Sequence, residues 1–258
     1  MKFEVTGRPG APAIVLSAGL GGAWAFWGPQ LDMLRERFRV VQFDHRGTGA
    51  NRQALRQGYA IADMADDALA VMDEAGIATA HFIGHALGGL VGLEIARRAP
   101  ARLGRLVLVN AWAKADRQSE RCFDIRIGIL QAQGPAAYVA AQPLFLHTAP
   151  YLSAHADRID AEIAHGTAHF QGADTILKRI AALRAFDVRD DLPAITARTL
   201  VVAALDDLLV PYTASEALAA GLPNAELWLM PMGGHACCVE HPAPFNARVM
   251  EFLTGQQR

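Results

Sequence analysis

The sequence predicts an α/β domain: a mostly parallel sheet flanked by helices, with a helical lid inserted late in the sheet. Three observations carry this. Short apolar runs alternate with helical stretches over residues 1–112 and again over 192–258, the pattern of a sheet covered on both faces. The apolar runs are nearly continuous, as strands buried on both sides require. Between the two blocks, residues 113–191 read as helical with no strong strand, broken by turn signals at Gly134-Pro135, Gln142-Pro143, Ala149-Pro150 and Gln171-Gly172. We therefore expect 1–112 and 192–258 to form the core and 113–191 the lid.

The elements follow in order. Lys2 to Thr6 is a short strand. Ala13-Ile14-Val15-Leu16-Ser17 is a buried strand that delivers the loop Ala18-Gly19-Leu20-Gly21-Gly22 to the carboxyl edge of the sheet, where ligands bind in open α/β folds. Pro29 opens a helix to about Arg37. Arg39 to Asp44 is a strand ending in His45-Arg46-Gly47-Thr48-Gly49-Ala50-Asn51. Ile61 to Ala75 has helical spacing, with Ile61, Met64, Ala68, Val71 and Met72 on one face, and Gly76 stops it. A strand ending at Gly84 is followed at once by a helix over Ala86 to Ala99, then Pro100 and the strand Leu106 to Asn110. After Pro193 the alternation resumes, with a strand at Thr199 to Ala204, a helix at Tyr212 to Leu222, a strand at Glu226 to Met230 and a closing helix at Ala243 to Leu253.

Composition narrows the function. Of 258 residues, 52% are hydrophobic and 19% charged, so a large core can be buried and disorder is not expected. Net charge is −2 with no basic block, which gives no basis for nucleic acid or anionic membrane as a partner. No apolar run reaches the roughly 20 residues of a membrane span. Met1-Lys2-Phe3-Glu4-Val5 is no signal-peptide core, and Cys122, Cys237 and Cys238 read as reduced thiols. A cytoplasmic protein is expected. There is no zinc spacing and no phosphate-binding glycine loop, so no cofactor and no metal are expected. Apolar surface on the lid is a candidate homodimer face.

Chemistry concentrates at three strand ends. Gly84-His85-Ala86-Leu87-Gly88, with Gly89 after it, has the frame of a nucleophile elbow, the sharp strand-to-helix turn G-x-S-x-G. Ala86 stands where a nucleophile would. After the strand ending at Ala204 comes Asp206-Asp207-Leu208-Leu209-Val210-Pro211. After the strand ending at Met230 comes Gly233-Gly234-His235. The chain order turn, acid, histidine is one of those in which a Ser-His-Asp constellation occurs, the one that goes with this turn. A carboxylate would orient the imidazole, and the imidazole would take a proton from the attacking group. The Asp-x-x-x-Pro spacing favours Asp207 over Asp206. Gly233-Gly234 lets the backbone carry His235 over the turn.

These motifs, together with Gly19-Leu20-Gly21-Gly22 and Asp44-His45-Arg46-Gly47-Thr48-Gly49, resemble the α/β-hydrolase superfamily. Three positions depart from it: Ala18 where His is usual, Ala86 where Ser is usual, and Asn51 where Ser is frequent. The segments around Asp44, Ala86, Asp207 and His235, with Gln142-Pro143-Leu144-Phe145-Leu146 and Ala168-His169-Phe170-Gln171-Gly172 in the lid, are similar to the RutD family of pyrimidine utilisation. That resemblance implies that alanine at the turn belongs to the family. It also implies a cofactor-free hydrolase releasing ammonia from carbamate or 3-aminoacrylate in uracil breakdown. The backbone N–H groups of Leu20 and Leu87 match the superfamily's oxyanion-hole positions. A water beside Ala86, activated by His235 and Asp207, is the expected attacker.

Other readings stand beside this one. Ala86 could mark an engineered Ser-to-Ala change or a decayed, non-catalytic binding homologue. The fold also serves cofactor-independent dioxygenases and lyases, and a fold does not fix a function. Ser17 and Cys237 are weaker candidates for a substitute nucleophile. Asp44, Arg46 and Asn51 read as a loop-ordering network. Gly19, His85, Trp112, Arg126, His169 and Gln171 are candidate pocket residues around a small-molecule substrate, and Arg121 is a further polar candidate on the lid.

Overall fold

The computed structural model describes residues 1–255. Its sheet is built from β1 (Phe3–Gly7), β2 (Ala13–Ser17), β3 (Arg39–Phe43), β4 (Ala80–His85), β5 (Leu103–Val109), β6 (Thr199–Ala204) and β7 (Ala225–Met230), in the spatial order β1-β3-β2-β4-β5-β6-β7. Only β1 is antiparallel to its neighbour, pairing Val5 with Val41; every other pair is parallel. The mostly parallel sheet read from the alternation is therefore what forms.

The strands are apolar at successive positions because each face has its own core. In β2, Ala13 and Val15 join one cluster while Ile14 and Leu16 join the other, as the two-residue period of a strand demands. The same split divides Leu106 and Leu108 from Val107 and Val109 in β5. One cluster is closed by α2 (Ile61–Glu74), α3 (Leu87–Arg98) and α9 (Tyr212–Gly221). The other is closed by α1 (Gly28–Arg35) and α11 (Pro242–Thr254), through Leu34, Phe245, Val249 and Phe252.

Between β5 and β6 the chain runs through α4 (Arg117–Gln133), α5 (Pro135–Leu146), α6 (Ala149–Ala154), α7 (Ala156–Ala168) and α8 (Ala173–Ala185). Asp116 caps α4 by accepting from Ser119 N–H at 2.8 Å, one of the donors a helix start leaves open. Lys114 pairs with Asp187 in an isolated bridge, and Val188 N–H donates to Ala113 at 3.1 Å, which closes the neck of the insertion.

Several expectations are corrected. Gln142-Pro143 is no turn: Pro143 lies inside α5, so packing overrides a cost of about 3 kcal/mol. Pro150 sits in the first turn of α6, after a break at His147-Thr148. The strand β5 begins at Leu103, three residues early, because Gly104 and Arg105 hide it in an apolar count. The first strand is shifted by one residue to Phe3–Gly7, and α1 ends at Arg35. The helix after the turn starts at Leu87, because Ala86 itself is not helical. No described helix is long and apolar enough to cross a membrane.

Candidate active site

The carboxyl ends of β2, β4, β5, β6 and β7 surround a cavity of about 420 Å³, roofed by the inserted helices. The turn after β4 forms one wall. Ala86 adopts φ +47° and ψ −112°, a strained conformation for a residue with a Cβ. Its N–H donates to Val109 at 2.8 Å and its carbonyl accepts from Gly89 at 2.8 Å. The flanking glycines are dictated by contact. A Cβ on Gly84 would meet the Gly88 carbonyl oxygen at 2.3 Å, and one on Gly88 would meet the Ser17 carbonyl oxygen at 2.2 Å. What reaches the cavity at the tip is a methyl group.

His235 lines the same cavity and is 3% exposed. Its Nδ1 lies 2.7 Å from Asp207 Oδ2. A carboxylate oxygen accepts, so Nδ1 carries the proton, and in the neutral imidazole Nε2 is the nitrogen with the lone pair. Asp207 lies behind the imidazole and not on the cavity wall. Its Oδ1 accepts from Leu209 and Val210 N–H at 2.8 and 2.9 Å, which fixes the carboxylate. Asp206 has a different task. It accepts from Gly234 N–H at 2.9 Å and Gly233 N–H at 3.3 Å, pinning the loop that presents the histidine. Gly233 at φ +127° and Gly234 at φ +58° hold backbone positions that favour glycine.

Two residues brace His235 from below. Its carbonyl accepts from His85 Nε2 at 2.7 Å and Asn110 Nδ2 at 2.8 Å. Because a carbonyl cannot donate, His85 is protonated on Nε2, and its bare Nδ1 lies buried without a partner. Burial, together with the nearby His235, pushes the His85 imidazole down to about 3, so it is neutral around pH 7. Its ring packs on Phe26 at 4.4 Å and on His235 at 4.7 Å. Asn110 follows β5 at φ +48°, and its Oδ1 accepts from Ala204 N–H at 3.2 Å. The sequence marked Asn110 only as a strand end; a polar residue closing an apolar run at the carboxyl edge was the available signal.

The loop Ala18–Gly22 forms the opposite lip. Gly22 N–H returns to Gly19 at 3.0 Å, making a tight turn around Leu20. Leu87 opens α3, where first-turn N–H groups have no partner inside the helix. Leu20 and Leu87 both line the cavity. Arg179 of α8, which the sequence did not single out, holds this lip. Its Nε donates to the Leu20 carbonyl at 3.1 Å, and its Nη2 to the Gly19 carbonyl at 3.3 Å and His45 Nδ1 at 3.2 Å. Full burial pushes the guanidinium down to about 10, so it stays charged near neutrality. His45 then donates from Nε2 to Ser17 Oγ at 3.0 Å. That bond occupies Ser17, which does not line the cavity. Cys237 and Cys238 open α10 (Cys237–Glu240) and are buried in the core, and burial pushes the Cys237 thiol up to about 12. None of these side chains stands in for the absent serine.

The remaining sequence candidates divide clearly. Gly19, His85, Trp112, Arg126 and Gln171 line the cavity, and His169 stands exposed at its rim with Nδ1 2.9 Å from the His165 carbonyl oxygen. Arg121 is exposed and lies outside the cavity wall, because it falls on the solvent face of α4. Asp44 accepts from Trp24 and Ala50 N–H, and Asn51 donates to the carbonyls of Lys2 and Asp44. Arg46 forks onto Asp67. None of the three lines the cavity, but the loop they order contributes Thr48 and Gly49 to its wall. Among the buried polar atoms without a partner are His85 Nδ1, Trp112 Nε1, Arg126 Nε and Gln171 Oε1. Such atoms are rare in folded proteins, and these four belong to residues of one cavity.

The comparisons agree with this architecture. A family profile described as "alpha/beta hydrolase fold" matches residues 12–124. Over 255 residues the chain is 51% identical to a protein of Agrobacterium fabrum named "Putative carbamate hydrolase RutD", covering 98% of each. A protein of the same name from Rhizobium rhizogenes is 52% identical over 258 residues, covering 99% of this chain and 98% of that one. Among solved structures, a hydrolase from Pseudomonas aeruginosa superposes with a TM-score of 0.87 at 31% identity, covering 98% of this chain and 94% of that one. The chain belongs to the RutD family, within the α/β-hydrolase fold.

Proposed function

We propose that the protein is a hydrolase of a small C–N substrate, carbamate or 3-aminoacrylate, releasing ammonia in pyrimidine utilisation. One observation carries the reading. His235, oriented by Asp207, turns a free Nε2 toward a cavity whose turn presents a methyl group instead of a hydroxyl. A base without a side-chain nucleophile acts on water. The relatives' name supports carbamate; 3-aminoacrylate and pyrimidine utilisation rest on the motif resemblance alone.

Water beside Ala86 gives a proton to His235 Nε2 as its oxygen bonds to the substrate carbon. Asp207 stabilises the imidazolium that forms. The N–H groups of Leu20 and Leu87 would hold the oxygen of the tetrahedral intermediate. His235 returns the proton to nitrogen, the C–N bond breaks, and ammonia leaves. Carbamate and water yield ammonia and bicarbonate. From the imine tautomer of 3-aminoacrylate that first relay gives a carbinolamine; its hydroxyl proton then passes through His235 to the amine, and the C–N bond breaks to yield ammonia and malonic semialdehyde. No step needs a cofactor. Oxyanion holes alone retain about 10³–10⁴-fold catalysis in enzymes stripped of their nucleophile, and both substrates also decompose readily in water.

The test is ammonia release from freshly generated substrate in ¹⁸O-water. His235→Ala should lower the enzyme-dependent rate by about 10²–10⁴-fold, with label appearing in the product in a single turnover. An unchanged rate in His235→Ala removes the assigned base. A trapped acyl-enzyme removes direct attack by water.

A further inference from the structure

The cavity has a charged wall that the chemistry outlined above leaves idle. Arg126 on α4 is 3% exposed and lines the cavity. Its guanidinium carbon lies 5.5 Å from the ring centre of Phe123 and 5.6 Å from those of Tyr138 and Phe145. Nη2 donates to Tyr138 Oη at 3.3 Å and to Gln142 Oε1. These acceptors are neutral, and Nε is buried with no partner at all. Some other arginines pair with acids, as Arg46 does with Asp67 and Arg97 with Glu94, while Arg39 and Arg105 reach backbone carbonyls from partly exposed positions. Arg179, also fully buried, gives Nε and Nη2 to backbone carbonyls and His45 and leaves Nη1 without a partner, but it does not line the cavity as Arg126 does.

Burying a cation without an anion is costly. Three aromatic faces lower that cost, yet they leave the positive charge uncancelled and one N–H unused. A guanidinium so placed matches a carboxylate. Gln171 adds a buried acceptor, Oε1, to the same cavity, suited to an N–H or O–H donor. Phe123, Leu146, Ile176, Leu183 and Leu209 make the wall largely apolar. The cavity volume of about 420 Å³ is more than ten times the roughly 30 Å³ share of a water molecule, so there is room for a carbon body as well as a charged end.

We propose that Arg126 is a carboxylate anchor, forming a subsite for a short monocarboxylate whose reacting carbon lies away from its charged end. The anchor belongs to the inserted helices, whereas the base and the candidate oxyanion donors belong to the core loops. A substrate bridging the two presents its carboxylate to α4 and its far carbon to His235. Gln171 takes a donor of the same ligand.

This inference rests on reading the cavity as the substrate site, so its test is binding without turnover. Acrylate and acrylamide are matched in shape and differ in charge. Titrated calorimetrically into the wild-type protein, acrylate should bind at least tenfold tighter. Arg126→Met, which keeps an apolar stem among the aromatic rings, should weaken acrylate about 10- to 100-fold and leave acrylamide unchanged. His235→Ala should preserve the acrylate preference. Equal affinity for the two ligands in the wild-type protein, or no acrylate binding, overturns the proposal without recourse to a variant. Acrylate affinity unchanged in a folded Arg126→Met also overturns it. An intact acrylate preference with no ammonia release supports the anchor and refutes the proposed reaction alone.

Discussion

Ala86 keeps the strained backbone of a nucleophile turn, φ +47°, while offering only a methyl group to the cavity. The strain is held by Val109, Gly89 and the two glycine contacts, so it does not depend on the side chain at the tip. Ala86→Ser should therefore fold as the wild type does and place a hydroxyl where His235 can deprotonate it. We expect that variant to be covalently labelled by a fluorophosphonate, seen as a mass increase, and the wild type to remain unlabelled. Labelling of the wild type at Ser17 or Cys237 would contradict the buried, bonded positions described for both. The turn, the acid and the histidine were legible in the sequence because each follows a strand and each is spaced by glycine or proline. Arg179, Asn110 and the tautomer of His85 were not legible. Their roles are hydrogen bonds spanning 159, 125 and 150 positions of chain, and no local pattern encodes them.

At the scale of the element, the strand β4, the turn and α3 act as one unit because glycine lets them touch. Gly88 approaches the Ser17 and Ala18 carbonyls of the neighbouring strand end, where a Cβ would stand 2.2 and 2.6 Å away. These are backbone atoms in the middle of the sheet and cannot move aside cheaply. Gly88→Ala should cost more than about 3 kcal/mol, measured by denaturant unfolding, whereas Gly128→Ala, where a Cβ meets open space inside α4, should stabilise by up to about 1 kcal/mol. A Gly88→Ala protein of wild-type stability would show that the turn is looser than described. Element type was readable here because the apolar runs were unbroken. Boundaries slipped where Gly104 and Arg105 interrupt β5, and Pro143 misled because its helix is fixed by packing that only the tertiary structure supplies.

Across the whole molecule, His45 and His85 are buried and neutral, with imidazoles held below the ordinary value by burial first and by Arg179 or His235 second. The unfolded chain protonates both near pH 6.5, whereas the folded one does not. Stability is then fully present above that pH and declines as pH falls toward the folded values. At pH 5 the His85 site should cost about 2 kcal/mol relative to pH 8, read from urea midpoints, with His45 adding to the slope in the same direction, and His85→Gln should flatten its share. A flat profile between pH 8 and 5 would contradict the burial of both rings. The inserted helices also grip the site at two separated places. Arg179 of α8 holds the Gly19 and Leu20 carbonyls, and the Leu146 carbonyl at the end of α5 accepts from Ala236 N–H at 2.8 Å, one residue beyond His235. Swinging those helices far enough to break both grips would slacken the two lips of the cavity together. Admission through such a swing and competence cannot then coexist in one conformer, and reclosure sets a ceiling on throughput.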